Sequence, residues 1–254
     1  MSGSSSNVNP SVAALRSASA PCAGYTQLDN PIWNSLLTEH APLALGEGLA
    51  RRFPAAIGPL SGMADTTAAS YDALRALAGP GGVVALFLEQ PPAPPPGWTM
   101  VRDGLMHQMI GLERGNASPE SLAPGAEIVK LTAADRSAMV DLATLTEPGP
   151  FNERTMELGT FFGIWSQGRL MAMAGERLRL PEFVEVSAVC THPEARGRGY
   201  GAALTATVAE NIRQSGKTPI LHLFAANLQA LRVYERIGFT VRRDLELAVL
   251  KNDP

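Results

Sequence analysis

The segment from Val189 to Ala202 reads Val-Cys-Thr-His-Pro-Glu-Ala-Arg-Gly-Arg-Gly-Tyr-Gly-Ala and constrains the fold more than any other stretch. The apolar run that feeds it, Val184 to Val189, has strand character, and a long amphipathic pattern follows its three alternating glycines. A strand that turns through glycines into a helix start gathers free backbone N–H groups and the positive helix end around one small volume. Such a volume suits a phosphate or pyrophosphate. Glycine is needed there because a Cβ would hold the anion off the backbone and because the turn calls for positive φ. Arg196 and Arg198 add positive charge at the same place.

Two rival phosphate loops are set aside by what the segment lacks. A Walker loop ends Gly-Lys-Ser/Thr, whereas this one ends Gly-Ala-Ala. The spacing Gly197-x-Gly199-x-x-Ala202 fits the dinucleotide fingerprint, which then requires an acidic residue at the end of the next strand. That strand, Pro219 to Ala225, runs instead into Ala226 and Asn227. Taken bare, the glycine string also reads as a turn carrying two solvated arginines.

The surrounding pattern narrows the choice. Leu204, Val208 and Ile212 recur at four-residue spacing, so a helix is expected from Tyr200 to Gln214, closed by Gly216. Asn227 is expected as the N-cap of a second helix through Ala230, Leu231, Val233, Tyr234 and Ile237, closed by Gly238. A last pair of strands is expected from Phe239 to Leu250. Upstream, Ile128 to Asp135 reads as a strand with a helix start. Phe161 to Trp165 and Leu170 to Gly175 read as a hairpin.

The order of these elements resembles the GNAT superfamily of acyl-coenzyme A-dependent N-acetyltransferases. The resemblance rests on Arg196-x-x-Gly199-x-Gly201 after a strand and on Asn227-x-x-Ala230-x-x-x-Tyr234-x-x-x-Gly238-Phe239 downstream, and it covers roughly the last half of the chain. A C-terminal catalytic half behind a divergent N-terminal half is most similar to the branch that includes glycine N-acyltransferases. The resemblance implies an α/β (α+β) fold with a mixed, mostly antiparallel sheet flanked by helices.

It also implies a division of labour. Arg196, Gly197, Arg198, Gly199, Tyr200, Gly201 and Ala202 would hold the coenzyme A pyrophosphate. Main-chain groups of Val189, Cys190 and Thr191 would pair with the pantetheine amides, for which the strand must splay from its neighbour. Asn227 would touch the same arm. Tyr234 resembles the family's general acid, since a phenol of pKa about 10 can donate to a thiolate whose thiol has a pKa of about 8.5. The bland alternative is a tyrosine that simply packs on its helix face. Glu185, eleven residues before Arg196, matches the glutamate that some members use as base, directly or through water. A carboxylate within an apolar run is costly without a partner, but strand alternation could also send Glu185 to solvent. Glu176 and Arg177 are secondary candidates for substrate recognition.

No His or Cys pair stands at metal-ligand spacing around His192 or His222, and Cys190 in a strand reads as a small buried hydrophobe. With no Gly-x-Ser-x-Gly elbow, neither a metal nor a covalent mechanism is expected. A net charge of −3 gives no electrostatic reason for a nucleic-acid partner. Two cysteines argue against a disulfide framework. No stretch reads as a signal peptide or a membrane span, so a cytoplasmic location is expected. No sequence feature sets an oligomeric state.

Residues 1–24, rich in Ser, Ala, Asn and Pro, are expected as a flexible tail. Residues 25–125 are expected as an N-terminal α/β lobe, a degenerate repeat of the same fold being one form it could take. Helix-like stretches span 30–45 and 66–78, strand-like ones 49–62, 83–88 and 98–112, with a proline-rich connection at 91–97. The boundary is placed in the Gly/Pro/Ser/Asn-rich stretch 114–125, leaving 126–254 as the acetyltransferase domain. The expected activity is acetyl transfer from acetyl-coenzyme A to a primary amine of a small molecule, amino acid or peptide, by direct attack in a ternary complex. The alternatives are an acyl-coenzyme A binding or sensing protein without turnover and an assembly module.

Overall fold

The computed structural model describes residues 25–91, 93–115, 122 and 126–254. The tail expected at 1–24 and most of the boundary expected at 114–125 lie outside them. In chain order the described elements are α1 (Pro31–Leu37), β1 (Ala50–Arg52), β2 (Ser61–Met63), α2 (Ala68–Ala78), β3 (Val83–Leu88), β4 (Trp98–Ile110) and β5 (Ile128–Lys130). They continue as α3 (Arg136–Thr146), β6 (Phe161–Ser166), β7 (Arg169–Arg179), β8 (Phe183–Thr191), α4 (Tyr200–Gln214), β9 (Thr218–Phe224), α5 (Leu228–Ile237) and β10 (Thr240–Asn252).

Eight strands form one sheet in the order β3-β10-β4-β9-β8-β7-β6-β5, while β1 and β2 pair separately. Among the described residues every neighbour pair in the large sheet is antiparallel except β8 with β9. The position of β4 is the organising fact. It lies between β9 and β10, antiparallel to both, with Gln108 opposite His222 on one side and Arg243 on the other. Two strands from before residue 125 are thus built into the sheet that carries the glycine loop.

Local chemistry explains the boundaries. Thr132 and Asp135 form a capping box at the entry to α3. Asn227 caps α5 through its side-chain oxygen, and Gly238 closes that helix in the left-handed region at φ 98°. The pair of strands expected from Phe239 to Leu250 is instead one strand of 13 residues. The segment contains no Gly or Pro, and bulges at Val241/Arg243 and Val249/Leu250 absorb its twist while it pairs on both sides.

Alternation along β9 divides the core. Leu221 and Leu223 pack with Leu204, Val208 and Ile212 of α4, whereas Ile220 packs on the other face with Ile32 and Leu36 of α1. Each face thereby excludes water from one side of the strands that bear the candidate site. No helix among the described residues is long and apolar enough to cross a membrane.

Candidate active site

The glycine loop does what its composition dictates. Gly197 and Gly199 sit at φ 80° and 76°, conformations that side chains disfavour. Gly199 is the residue from which α4 starts, and the first intrahelical bond runs from Ala203 N to Gly199 O. The N–H groups of Tyr200, Gly201 and Ala202 therefore precede the helical ladder and are left for a ligand. A Cβ on Gly201 would meet only Thr191 Oγ1 at 3.6 Å and Val189 Cγ1 at 3.7 Å, so its hydrogen lines open space between loop and strand. Arg196 and Arg198 are exposed beside it, and Arg198 reaches back to the Glu194 carbonyl at 3.2 Å. The Tyr200 ring faces inward, 4% exposed, so this residue offers the loop its backbone rather than its phenol.

Beneath the loop the sheet opens. Strand β8 pairs with β9 only at Phe183, Val184 and Glu185, opposite Thr218, Pro219 and Ile220. Beyond that rung Ala188 takes a positive φ of 52°, and the register on the β7 side shifts between Ser187 and Cys190. Cys190 and Thr191 then pair with Met173 and Ala172 of β7, with no ladder partner on the β9 side among the described residues. Val189, Cys190 and Thr191 thus border a fork whose backbone groups need a partner. A molecule with a pyrophosphate and two amides on an extended arm fits both halves of this surface: the Gly201 gap beneath the free N–H groups, and the unpaired strand edge. The Cys190 thiol is pushed up to about 11 by burial and stays protonated, a small hydrophobe rather than a nucleophile.

Helix α5 stands at the same place. Asn227 spends its Oδ1 on the Ala230 N–H at 3.1 Å, which leaves its amide N–H groups available. The Tyr234 ring packs on the core cluster that includes Val189, with its centroid 6.4 Å from that of Phe239. Its hydroxyl has no hydrogen-bond partner among the described residues, and burial pushes its pKa up to about 12. It therefore holds its proton across the physiological range.

Glu185 is placed differently. It is 0% exposed, on the last rung before the fork, and both oxygens are occupied. Arg177 grips it with Nε at 2.7 Å and Nη2 at 2.5 Å, and His222 Nδ1 lies 2.7 Å from Oε1. Burial alone would raise its pKa, but the Arg177 charge and the hydrogen bonds from Arg177 and His222 outweigh that and lower it to about 2. A carboxylate so held, with three hydrogen bonds and a lowered pKa, is a weak base. Neighbouring Glu176 is equally committed, to Arg179, Asn211 and the Thr160 N–H. Arg177 lines two small recesses, one of which borders Ser187 and Ala188.

The motif residues therefore converge on the fork, while Glu185 sits below it in a polar row that the sequence reading passed over. Gln108 and His222 each interrupt an apolar run, Met106 to Ile110 and Ile220 to Phe224, as Glu185 interrupts its own. A polar residue inside an apolar run on each of three neighbouring strands was the available signal, but His107 beside Gln108 blurs it on β4, and without the pairing of β4 to β9 nothing joined them. Among the described residues no group of three His, Cys, Asp or Glu side chains could hold a metal.

Comparisons with known proteins agree with this geometry. Residues 161–247 match the family model described as FR47-like protein. The chain is 36% identical over 81 residues to a mycothiol acetyltransferase of Mycobacterium sp. (strain JLS), a match that takes in 30% of this chain and only 27% of that protein's length. The fold is similar to that of a Drosophila protein of known structure, at 17% identity and a TM-score of 0.53 over 77% of this chain and 71% of that one. Much nearer is a crystal structure of a putative acetyltransferase from the GNAT family from Novosphingobium aromaticivorans DSM 12444. The TM-score is 0.79 at 38% identity, and the alignment covers 89% of this chain and 99% of that one. A relative so similar over nearly its whole length settles the matter: the chain belongs to the GNAT family of acetyltransferases.

Proposed function

We propose that this protein is an N-acetyltransferase that moves an acetyl group from acetyl-coenzyme A to a primary amine by direct attack in a ternary complex. The observation that carries the reading is the fork: β8 leaves β9 after Glu185 and bends at Ala188 directly below a glycine loop that opens α4. Arg196 to Ala202 would bind the pyrophosphate, Val189 to Thr191 would take up the pantetheine amides as an added strand would, and Asn227 would donate to the same arm. The thioester supplies an activated acyl carbon, and the chain positions it.

Tyr234 is the proton donor in this reading. A phenol pushed up to about 12 is a weaker acid than usual but is always protonated, and it can hydrogen-bond a departing thiolate before the proton moves. Glu185 acts as the anchor of Arg177 and His222; as a base it would first have to release one of them. The acceptor's proton then leaves to solvent at the mouth of the fork. Residues 126–254 supply the coenzyme surface, and the segment 25–125 shapes the acceptor side, an arrangement shared with the glycine N-acyltransferase-like branch. The acceptor class is a small-molecule amine, an amino acid or a peptide.

A thiol-release screen of acetyl-coenzyme A against a panel of amines, amino acids and peptides tests the activity. Release stimulated by one amine class, with the acetylated amine found by mass spectrometry, is the expected result. Coenzyme A binding without any amine-dependent release would replace this reading by the second one, an acyl-coenzyme A sensor. The engagement of both Glu185 oxygens by Arg177 and His222 is the observation that favours that second reading.

A further inference from the structure

Gln108 is 0% exposed near the C-terminal end of β4, and no step above uses it. It is the middle of a row that crosses five successive strands: Arg242 on β10, Gln108 on β4, His222 on β9, Glu185 on β8 and Arg177 on β7. Arg242 donates from Nη1 to Gln108 Oε1 at 2.7 Å and from Nη2 to Asp29 Oδ1 at 2.6 Å. Gln108 Nε2 donates to the Leu28 carbonyl at 2.9 Å and faces His222 Nε2 at 3.0 Å. The other imidazole nitrogen meets Glu185.

Counting donors fixes the imidazole. A carboxylate only accepts, so Nδ1 of His222 carries a hydrogen. The orientation of the Gln108 amide is set from two sides, by a guanidinium that can only donate to Oε1 and a carbonyl that can only accept from Nε2. Its remaining N–H therefore points at His222 Nε2, which must present a lone pair. A hydrogen on Nε2 would face the amide N–H and remove that bond.

We propose that Gln108, held by Arg242, is a positioning residue for the transfer reaction: it fixes His222 as the neutral Nδ1–H tautomer and so keeps the His222–Glu185 bridge closed at the root of the fork. Glu185 with Ile220 is the last backbone rung, and His222 lies two residues beyond it on β9. The bridge is thus the side-chain tie between the strands where backbone pairing stops. With the opposite tautomer the imidazole would turn a lone pair to the carboxylate, the tie would be lost, and Arg177 would share its anchor with nothing. The charged groups around the ring are Glu185 and, behind it, Arg177, with Arg242 and its partner Asp29 beyond Gln108; Phe87 of β3 covers a ring face at 4.8 Å between centroids.

The kinetic half of this proposal rests on the acetyltransferase reading, whereas the tautomer does not. Nitrogen-15 NMR of the wild-type imidazoles at neutral pH, with the His222 signals identified by their loss in His222→Phe, should show Nδ1 protonated and Nε2 bare. The reverse pattern would overturn the proposal without any variant having to fold. Gln108→Met keeps the shape and loses the donor. It should give a mixture of tautomers and about a tenfold weaker coenzyme A affinity by calorimetry. Gln108→Glu should protonate both nitrogens. Arg242→Met, which does not touch the ring, removes one of the two groups that set the amide and, with the Leu28 carbonyl still in place, should give a smaller admixture of the Nε2–H form than Gln108→Met. Unchanged His222 signals in Gln108→Met, or changed signals with unchanged coenzyme A affinity, would end the positioning role. A wild type that fails to bind coenzyme A while showing the expected tautomer would instead overturn the functional reading alone.

Discussion

The glycine loop and the polar row lie on either side of the same rung of the sheet, yet they are built by opposite rules. The loop is local: Arg196 to Ala202 are consecutive, exposed or half-buried apart from the Tyr200 ring, and their backbone conformation follows from glycine chemistry. The row is non-local: its members come from residues 108, 177, 185, 222 and 242, and each is satisfied by another strand, with Gln108 and Arg242 also bonded to the segment from Tyr25 to Asp29. A short-range motif can present N–H groups to solvent with few supporting contacts. A buried row of charges and amides needs every partner in place at once, because a single missing one leaves an uncompensated group. The site thus combines a part that tolerates its surroundings with a part that depends on the entire sheet.

The severest way to break this contrast is to remove β4. Strands β9 and β10 do not pair with each other but lie on either side of β4, so a fragment of residues 126–254 keeps the loop sequence intact while opening one edge of β9, stripping β10 of both neighbours and leaving His222 Nε2 without Gln108. It should show no cooperative urea transition by circular dichroism. A sharp transition in that fragment would mean that the local part suffices. Next in size, Glu185→Gln strips Arg177 of its partner and should cost about 3–5 kcal/mol in denaturant titrations. The pH dependence carries the same signature. Because the Glu185 carboxyl is lowered from 4.5 to about 2, its stabilisation is complete above about pH 4.5 and is lost as the pH falls towards 2. The Gln variant should lack that component of acid destabilisation, and an acid profile parallel to the parent's would show that the row contributes nothing there.

Smaller effects belong to the loop and its helix. Tyr234→Phe should lower kcat by about a hundredfold and leave coenzyme A affinity within about twofold; unimpaired turnover would remove the phenol from the proton path. Gly201→Ala should be nearly silent for stability, since the added Cβ meets only ordinary contacts at 3.6 and 3.7 Å. It should nonetheless weaken coenzyme A binding about tenfold, which calorimetry would read directly. Equal losses of stability and affinity would make Gly201 a folding glycine rather than a cradle.

The same division explains what could be read from the chain. Helix α4 is found over Tyr200–Gln214, as its four-residue apolar spacing indicates, and Asn227 caps α5 as its residue type suggests, because both are decided within a few residues. The length of β10 was misjudged because pairing partners about 140 and about 160 residues upstream, not local turn chemistry, keep it extended. Alternation along β8 left Glu185 undecided between core and solvent, and only the opposite strands show it walled in by Arg177 and His222. A row that no two neighbouring residues share has no periodicity to betray it.

The seat of β4 between β9 and β10 has a temporal side as well. During synthesis β4 emerges roughly a hundred residues before β9 and further still before β10. For that interval a 13-residue strand with Val101 and Leu105 on its exposed side has neither of its final flanking partners. The sheet closes only when the last strand has left the ribosome, which makes folding of this chain slow by contact order and gives chaperones a defined stretch to shield.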